Sequence, residues 1–256
     1  MDRDDGARRR FLQRLIVAFG APVLAACERL SASESFARVL ASGETLSREV
    51  ARLVGRRAMA QEFGPEDISP SFRSNGTAEP DTDAYRALSA GGFQAYSLSV
   101  GGLVESPRSF TLNALRALPS RTQITRHDCV EGWSAIAKWK GARLASLLDA
   151  VKPRPEARYV VFRCADPMEE NGTAFYYESI DLDDARHEQT ILAYELNDGP
   201  LPVANGAPIR LRVERQLGYK HAKYVMRIDL VESFAGIEGG KGGYWADRGY
   251  QWFAGI

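Results

Sequence analysis

Hydrophobic positions fall along the chain in two regimes. Between residues 28 and 63 they keep near-helical spacing, at Phe36, Val39 and Leu40 and then at Leu46, Val50, Leu53 and Val54. Gly43 separates the two groups, and Thr45 or Ser47 is placed to cap the second. Residues 64–70, bracketed by Pro65 and Pro70, end this helical stretch, and residues 71–77 predict an extended loop. From Tyr96 onward, short β-like runs alternate with short helices. Residues 97–104 predict a strand bent at Gly101-Gly102, and residues 111–118 a helix stopped by Pro119. A strand is expected over 123–128, and a helix over 144–151 that ends before Pro153. Residues 158–163 are rich in β-branched and aromatic side chains, as a buried strand requires. Residues 190–196 predict another strand, closed by the turn Asn197-Asp198-Gly199. Ile209, Leu211 and Val213 alternate with Arg210 and Arg212 as a two-faced strand, and Tyr224, Met226, Ile228 and Leu230 mark one face of a later one. Short helices scattered among mixed strands predict an α+β fold rather than a regular βαβ series. There is no internal repeat and no Walker or Rossmann glycine fingerprint.

Composition narrows the function classes. The 256 residues are 45% hydrophobic and 26% charged, which suits a globular domain with a full core. Lys+Arg and Asp+Glu both number 33, so no global field favours a nucleic acid as partner. The three cysteines, Cys27, Cys129 and Cys164, have no C-x-x-C spacing, which argues against a structural zinc site or a c-type haem attachment. His127, His187 and His221 lie too far apart in sequence to suggest a His-based zinc or iron site.

The first 27 residues carry the marks of a leader. Arg8-Arg9-Arg10-Phe11-Leu12-Gln13 matches the twin-arginine export pattern, and residues 15–26 form an apolar run too short to span a bilayer but suited to a signal-peptide core. Leu24-Ala25-Ala26-Cys27 resembles a lipobox, making Cys27 a candidate lipid anchor. The alternative is an amphipathic N-terminal helix with a basic flank. The expected organisation is a twin-arginine signal peptide over 1–27, a helical spacer over 28–70 and the main domain over 71–256. The expected location is the periplasm.

Two constellations carry candidate chemistry. Cys129 follows the predicted strand 123–128 and precedes a Gly132-Trp133-Ser134 turn. A lone cysteine is often a small buried hydrophobe, but Arg126 and His127 beside it are placed to favour the thiolate, the metal-binding form. A soft sulfur donor suits a soft or high-valent transition metal. A papain-like nucleophile is the alternative, without a protease signature around it. The second constellation is Asn205-Gly206-Ala207-Pro208-Ile209-Arg210-Leu211-Arg212, followed by Arg215, Lys220, His221 and Lys223. Arginine forks and lysine charges bind phosphate, so this segment suits a phosphate-bearing cofactor or an anionic substrate. An exposed arginine face on an edge strand would look the same. Asn75-Gly76-Thr77 offers amide and hydroxyl groups to a heterocycle, or is a surface turn. The aromatic residues from Tyr244 to Phe253 line a pocket mouth, or pack on the domain as a C-terminal segment.

The run Cys129-Val130-Glu131-Gly132-Trp133-Ser134, the onward spacing to Trp139, Gly141, Leu144 and Leu147-Leu148, and the segment from Asn205 to Arg210 together resemble the molybdopterin-binding domain of the sulfite oxidase family. The likeness is greatest to the branch that contains the periplasmic methionine-sulfoxide reductase catalytic subunit. It runs from about Asn75 to Leu230. The resemblance implies a sulfite-oxidase-type α+β domain with mixed β-sheets and short peripheral helices, holding a molybdenum–molybdopterin cofactor. It makes Cys129 the catalytic thiolate ligand of molybdenum. It places Asn75, Cys164, Asn205, Arg210, His221, Ala222 and Lys223 at the cofactor, with Cys164 standing where the branch has a threonine. The implied activity is oxygen-atom transfer, in the direction of reducing a small-molecule or protein-bound S-oxide or N-oxide. Oxidation of sulfite or another small sulfur compound is the alternative, and a non-catalytic exported anion-binding protein is the alternative from another class. With neither an immunoglobulin-like domain nor a haem domain expected, the resemblance implies a monomer that takes electrons from a separate partner such as a membrane haem protein.

Overall fold

A computed structural model describes residues 58–169, 172 and 174–256, and before them 33, 35, 36, 42, 43 and 46–50. The leader motifs and Cys27 lie outside the described residues. The chain divides into two compact units, Met1–Val54 and Gly55–Ile256. In the first unit, helical backbone is described at 35–36, 42–43 and 46–50, with Leu46 and Val50 exposed. No helix among the described residues is long and apolar enough to cross a membrane.

The second unit holds ten strands and five short α-helices. In chain order they are α1 (Asp83–Ala90), β1 (Ser97–Gly102), β2 (Arg108–Thr111), α2 (Leu112–Arg116), β3 (Ser120–Asp128), β4 (Ser134–Arg143), α3 (Leu144–Val151), β5 (Tyr159–Pro167), β6 (Phe175–Asp181), α4 (Leu182–Arg186), β7 (Ile191–Leu196), β8 (Gly199–Pro200), β9 (Arg210–Arg212), β10 (Val225–Val231) and α5 (Tyr244–Asp247). One mixed sheet runs β2-β1-β10-β5-β6, with β1 and β10 parallel and the other neighbours antiparallel. The other runs β3-β4-β7-β8, with β9 also pairing β7, all antiparallel. This is the α+β architecture expected from the sequence.

The main core joins the two sheets. Leu98, Phe110, Val160, Phe162, Ile180 and Ile228 of the first pack with Leu192, Tyr194 and Leu211 of the second and with Leu144, Leu147 and Leu148 of α3. Ala137, Trp139, Ile191, Ala193 and Leu201 form a smaller cluster closed by Phe72. Since β7 contributes to both clusters, it is covered on both faces.

Helix α3 occupies the span that the sequence predicts, and α2 starts where Thr111 accepts a hydrogen bond from the Ala114 amide. Strands β2, β4 and β6 and helices α1, α4 and α5 have no counterpart in the sequence reading. Strand β4 escaped notice because, apart from Trp139, its alternating inward positions are Ala135, Ala137 and Gly141, which have little β-propensity of their own, and Lys138 and Lys140 alternate with them. Its pairing with β3 through nine successive residues, from Ser120↔Ala142 to Asp128↔Ser134, makes the strand. Residues 60–69, assigned to the spacer on composition, run along β3. Glu62 bridges to Thr125, and the Phe63 and Ser69 amides donate to the Ile124 and Ile136 carbonyls.

Candidate functional site

The β3–β4 hairpin presents Cys129 at its tip. The Cys129 amide donates to the Trp133 carbonyl at 2.9 Å and the Gly132 amide to the Cys129 carbonyl at 3.0 Å, closing a tight loop. Gly132 sits at φ +84°, a region that a Cβ disfavours. Cys129 is 7% exposed and lines a cavity of about 170 Å³. Burial raises the thiol pKa; the Glu131 and Val130 amides directed at the sulfur and the nearby Arg73 pull the other way. Arg126 and His127 do not activate it as the sequence suggested. Arg126 points outward to pair with Asp128 at 2.9 Å. His127 lies 1% exposed on the inner face, kept neutral by burial and by the charges of Arg212, Arg210 and Lys223.

Behind the hairpin, the inner face of β3 is polar: Gln123, Thr125 and His127 are all buried. The counterparts come from β9 and the loop after it. Arg212 is wholly buried, donates through Nε and Nη2 to Glu214 at 2.8 and 2.5 Å, and lies 4.4 Å over the Trp139 ring. Its Nη1 also meets His127 Nδ1 at 2.9 Å. A guanidinium only donates, so Nδ1 is the acceptor and Nε2 carries the proton. The backbone of Gly218 passes close to that ring, and a Cβ there would fall 2.6 Å from Nε2. His221 stands edge-on to His127 at 5.0 Å and gives its Nε2 proton to the Gln216 carbonyl at 2.9 Å. His221 Nδ1 is left as a buried acceptor without a partner.

The basic segment therefore neither faces solvent nor converges on one point. Lys220 pairs with Glu178 at 2.5 Å, both side chains fully buried, as Arg212 pairs with Glu214. Arg210, 1% exposed, reaches only the carbonyls of Asn205 and His221, at 3.1 and 3.3 Å, and its Nε has no partner. Burial and the neighbouring Arg212 push its pKa down to about 9. Lys223 donates to the carbonyls of Asn75 at 2.7 Å, of Ala204 at 3.2 Å and of Thr77, pinning the 75–77 turn against the cavity. Burial, then Arg210, lowers the Lys223 pKa to about 7.

Of the residues singled out in sequence, Asn75, Gly76, Thr77, Cys129, His221 and Lys223 line the cavity, as do Trp245 and Tyr250 of the aromatic C-terminal segment. Asn205, Arg210 and Ala222 are buried just behind, linked to the lining through the carbonyl of His221 and the clamp of Lys223. Cys164 lies on β5 opposite Val225 in the main core, 6% exposed and outside the lining, its thiol raised by full burial. The sequence reading overlooked Asp166, Tyr176 and Tyr219, which also line the cavity. Asp166 is 4% exposed, and burial raises its carboxyl pKa to about 6. One signal was available: Asp166 lies two residues beyond Cys164 and so on the same face of a buried strand.

Three acceptor atoms on the cavity wall, Asn75 Oδ1, Asp166 Oδ1 and His221 Nδ1, are buried with no partner, and the Asn205 Nδ2 donor is unpaired behind them. Buried polar groups are normally satisfied, so this concentration is what a hydrogen-bonding heterocycle would complete. The donor set fits a metal–pterin group: one soft thiol, an edge of acceptors for ring N–H groups, and a buried guanidinium without a carboxylate. Among the described residues no group of three or more His, Cys, Asp or Glu is placed to hold a metal.

Comparison with known proteins agrees with that chemistry. Residues 88–235 match the family described as oxidoreductase molybdopterin binding domain. A chain from Azospira oryzae, named as a protein-methionine-sulfoxide reductase subunit, YedZ1, is 35% identical across 97% of this chain and 88% of its own length. The protein-methionine-sulfoxide reductase catalytic subunit MsrP of Xanthomonas axonopodis pv. citri is 36% identical over 65% of this chain, a match spanning 54% of that relative. Among solved structures, the sulfane dehydrogenase SoxCD of Paracoccus pantotrophus aligns over 55% of this chain and 39% of its own, with 23% identity and a TM-score of 0.49.

Proposed function

This chain belongs to the oxidoreductase molybdopterin-binding family, and from that premise we propose that it reduces S-oxides, with a thioether and water as products. The balance is one S-oxide, two protons and two electrons in; one thioether and one water out. When bound, the molybdenum–pterin centre supplies the two-electron oxygen-atom chemistry. Cys129 is assigned as the protein's metal ligand, with the Val130 and Glu131 amides opposing the rise in thiol pKa that burial causes. Asn75, Asp166 and His221 are assigned to the donor edge of the cofactor, and Asn205, Arg210, Ala222 and Lys223 to its anionic end. Cys164, a weaker donor than a hydroxyl, stands behind them in the core.

The observation that favours an S-oxide over sulfite is the charge of the cavity. The one cationic side chain among its described lining residues is Lys223, and that ammonium already serves three carbonyls. His221 is held neutral by burial and by Arg212. Arg73, which acts on Cys129, lies outside that lining, so within it an oxyanion would meet only a lysine already bound to carbonyls, whereas a neutral dipolar oxide needs no cation. The names of the two relatives point the same way. Both are called subunits, in keeping with a separate electron donor, here proposed to be a membrane haem protein. Export through the twin-arginine leader to the periplasm, with Cys27 as lipid anchor, completes the proposal.

The test is an anaerobic assay with a reduced viologen dye and the molybdenum-loaded protein. S-oxide-dependent dye oxidation is expected, with none from a folded Cys129→Ser variant. Sulfite-dependent reduction of an acceptor, without S-oxide turnover, would contradict the assignment.

A further inference from the structure

The cavity lining is part polar and part aromatic, and the proposed chemistry uses only the polar residues. Besides Asn75, Asp166, His221 and Lys223, the lining holds a wall of Tyr176, Tyr219, Trp245 and Tyr250. Its outer half comes from residues 244–250, outside the span 88–235 matched by the family. The Trp245 and Tyr250 rings stack at 5.2 Å and 28°, and the Tyr219 ring meets Tyr250 edge-on at 5.3 Å. The stack is held from below. The Tyr250 amide donates to the Trp245 carbonyl at 3.0 Å, Tyr219 Oη to the Gln251 carbonyl at 2.6 Å, and Trp252 Nε1 to Ser179 Oγ at 2.8 Å. Despite this packing, Tyr250 remains 39% exposed, and Val130, next to Cys129, is 48% exposed.

We propose that Trp245 and Tyr250 are specificity-determining residues, forming the wall that selects S-oxides with a bulky apolar arm over the smallest dialkyl S-oxide. The proposal rests on the S-oxide reading above. The polar groups of the lining are either committed to protein carbonyls or arranged to meet a cofactor, so they offer nothing to an apolar substituent. Aromatic faces do: they bury apolar area, and a sulfur or a ring beside them gains a directional contact. A methyl group alone is too small to cover both rings of the stack.

The experiment compares dimethyl sulfoxide with methyl phenyl sulfoxide on molybdenum-loaded wild type, Trp245→Ala, Trp245→Phe and Tyr250→Ala. In each alanine variant the KM for methyl phenyl sulfoxide should rise about fivefold, the worth of one aromatic contact. The KM for dimethyl sulfoxide and both kcat values should stay near wild type, and Trp245→Phe should restore the preference. Unchanged KM ratios in both alanine variants would overturn the proposal, as would a loss of bound molybdenum that tracks the KM change. A binding readout separates this from the reaction itself. Thioanisole, the thioether product, should quench wild-type tryptophan fluorescence, and that quenching should be largely lost in Trp245→Phe. If the wild type reduces neither S-oxide, the S-oxide reading fails, and the wall is then judged on thioanisole alone: quenching that depends on Trp245 sustains it, and its absence overturns it.

Discussion

Arg212 and Arg210 lie two residues apart on the same strand, equally buried, and serve opposite ends. Around Arg212 the charges close on themselves: Glu214 takes two of its donors, His127 a third, and Trp139 lies beneath its plane. Lys220 with Glu178 repeats the pattern. Around Arg210 and Lys223 the hydrogen-bond acceptors are carbonyls alone, Arg210 also lies 5.2 Å over Trp139 and Lys223 5.1 Å over Tyr224, polar atoms stay unpaired, and both pKa values are depressed by burial. In the first arrangement each cation is matched by a buried carboxylate, although His127 Nε2 and Glu178 Oε2 are themselves left without partners. In the second, Arg210 has no paired carboxylate and the only carboxyl acting on Lys223 is that of the buried Asp166, the condition expected of a site that a ligand completes. Burial alone does not separate a structural cation from a binding one; the nature of its partners does.

The sharpest way to break this contrast is to remove each arginine in turn. Arg212→Met leaves Glu214 buried without its cation and should cost the cofactor-free protein about 3–5 kcal/mol in chemical denaturation. Arg210→Met removes a cation that has no carboxylate, so the cofactor-free protein should be at least as stable as wild type, while the pterin recovered per chain falls. Equal losses of stability in the two variants would erase the distinction.

A smaller effect should appear with pH. The Asp166 carboxyl is raised from 3.8 in an ordinary environment to about 6 in the fold, by burial first. Between those values the folded state binds more protons than the unfolded one, so this contribution is fully present below pH 4 and is lost as pH rises through 6. Cofactor-free Asp166→Asn should therefore lose less stability than wild type between pH 4 and 6, as thermal melts would show. Asp184, also raised to about 6 by burial, keeps part of the slope in both proteins. An identical slope in the variant would remove Asp166 from the set of unmet groups. The smallest expected change is local: Gly132→Ala, at φ +84°, should cost about 1 kcal/mol in urea unfolding without touching the paired charges.

The chemistry was more legible in the sequence than the electrostatics. Cys129 stands at a hairpin tip because β-period residues before it and a Gly-Trp-Ser turn after it say so locally. Helix α3 and strand β7 were legible for the same reason, each having its own periodicity and stop signal. The roles of Arg126 and His127 were not, since side-chain direction on β3 depends on which face β4 and β9 cover. Spacing puts Arg210, Arg212 and Glu214 on one face, so a pairing of Arg212 with Glu214 was available locally; that Glu214 pairs with Arg212 while Arg210 meets carbonyls is set by tertiary packing. Asp166 was missed because a lone aspartate at the end of an apolar strand looks like a boundary, whereas the groups that interact with its carboxyl, Thr77 and Lys223, are far away in sequence.

The most direct test of the central claim is elemental and pterin analysis of the purified protein from a molybdenum-sufficient host, beside Cys129→Ala. The account predicts about one molybdenum and one pterin per wild-type chain, with molybdenum lost in the variant while its fold persists by circular dichroism. Wild-type protein without molybdenum, from a host that loads other molybdopterin enzymes, would contradict it.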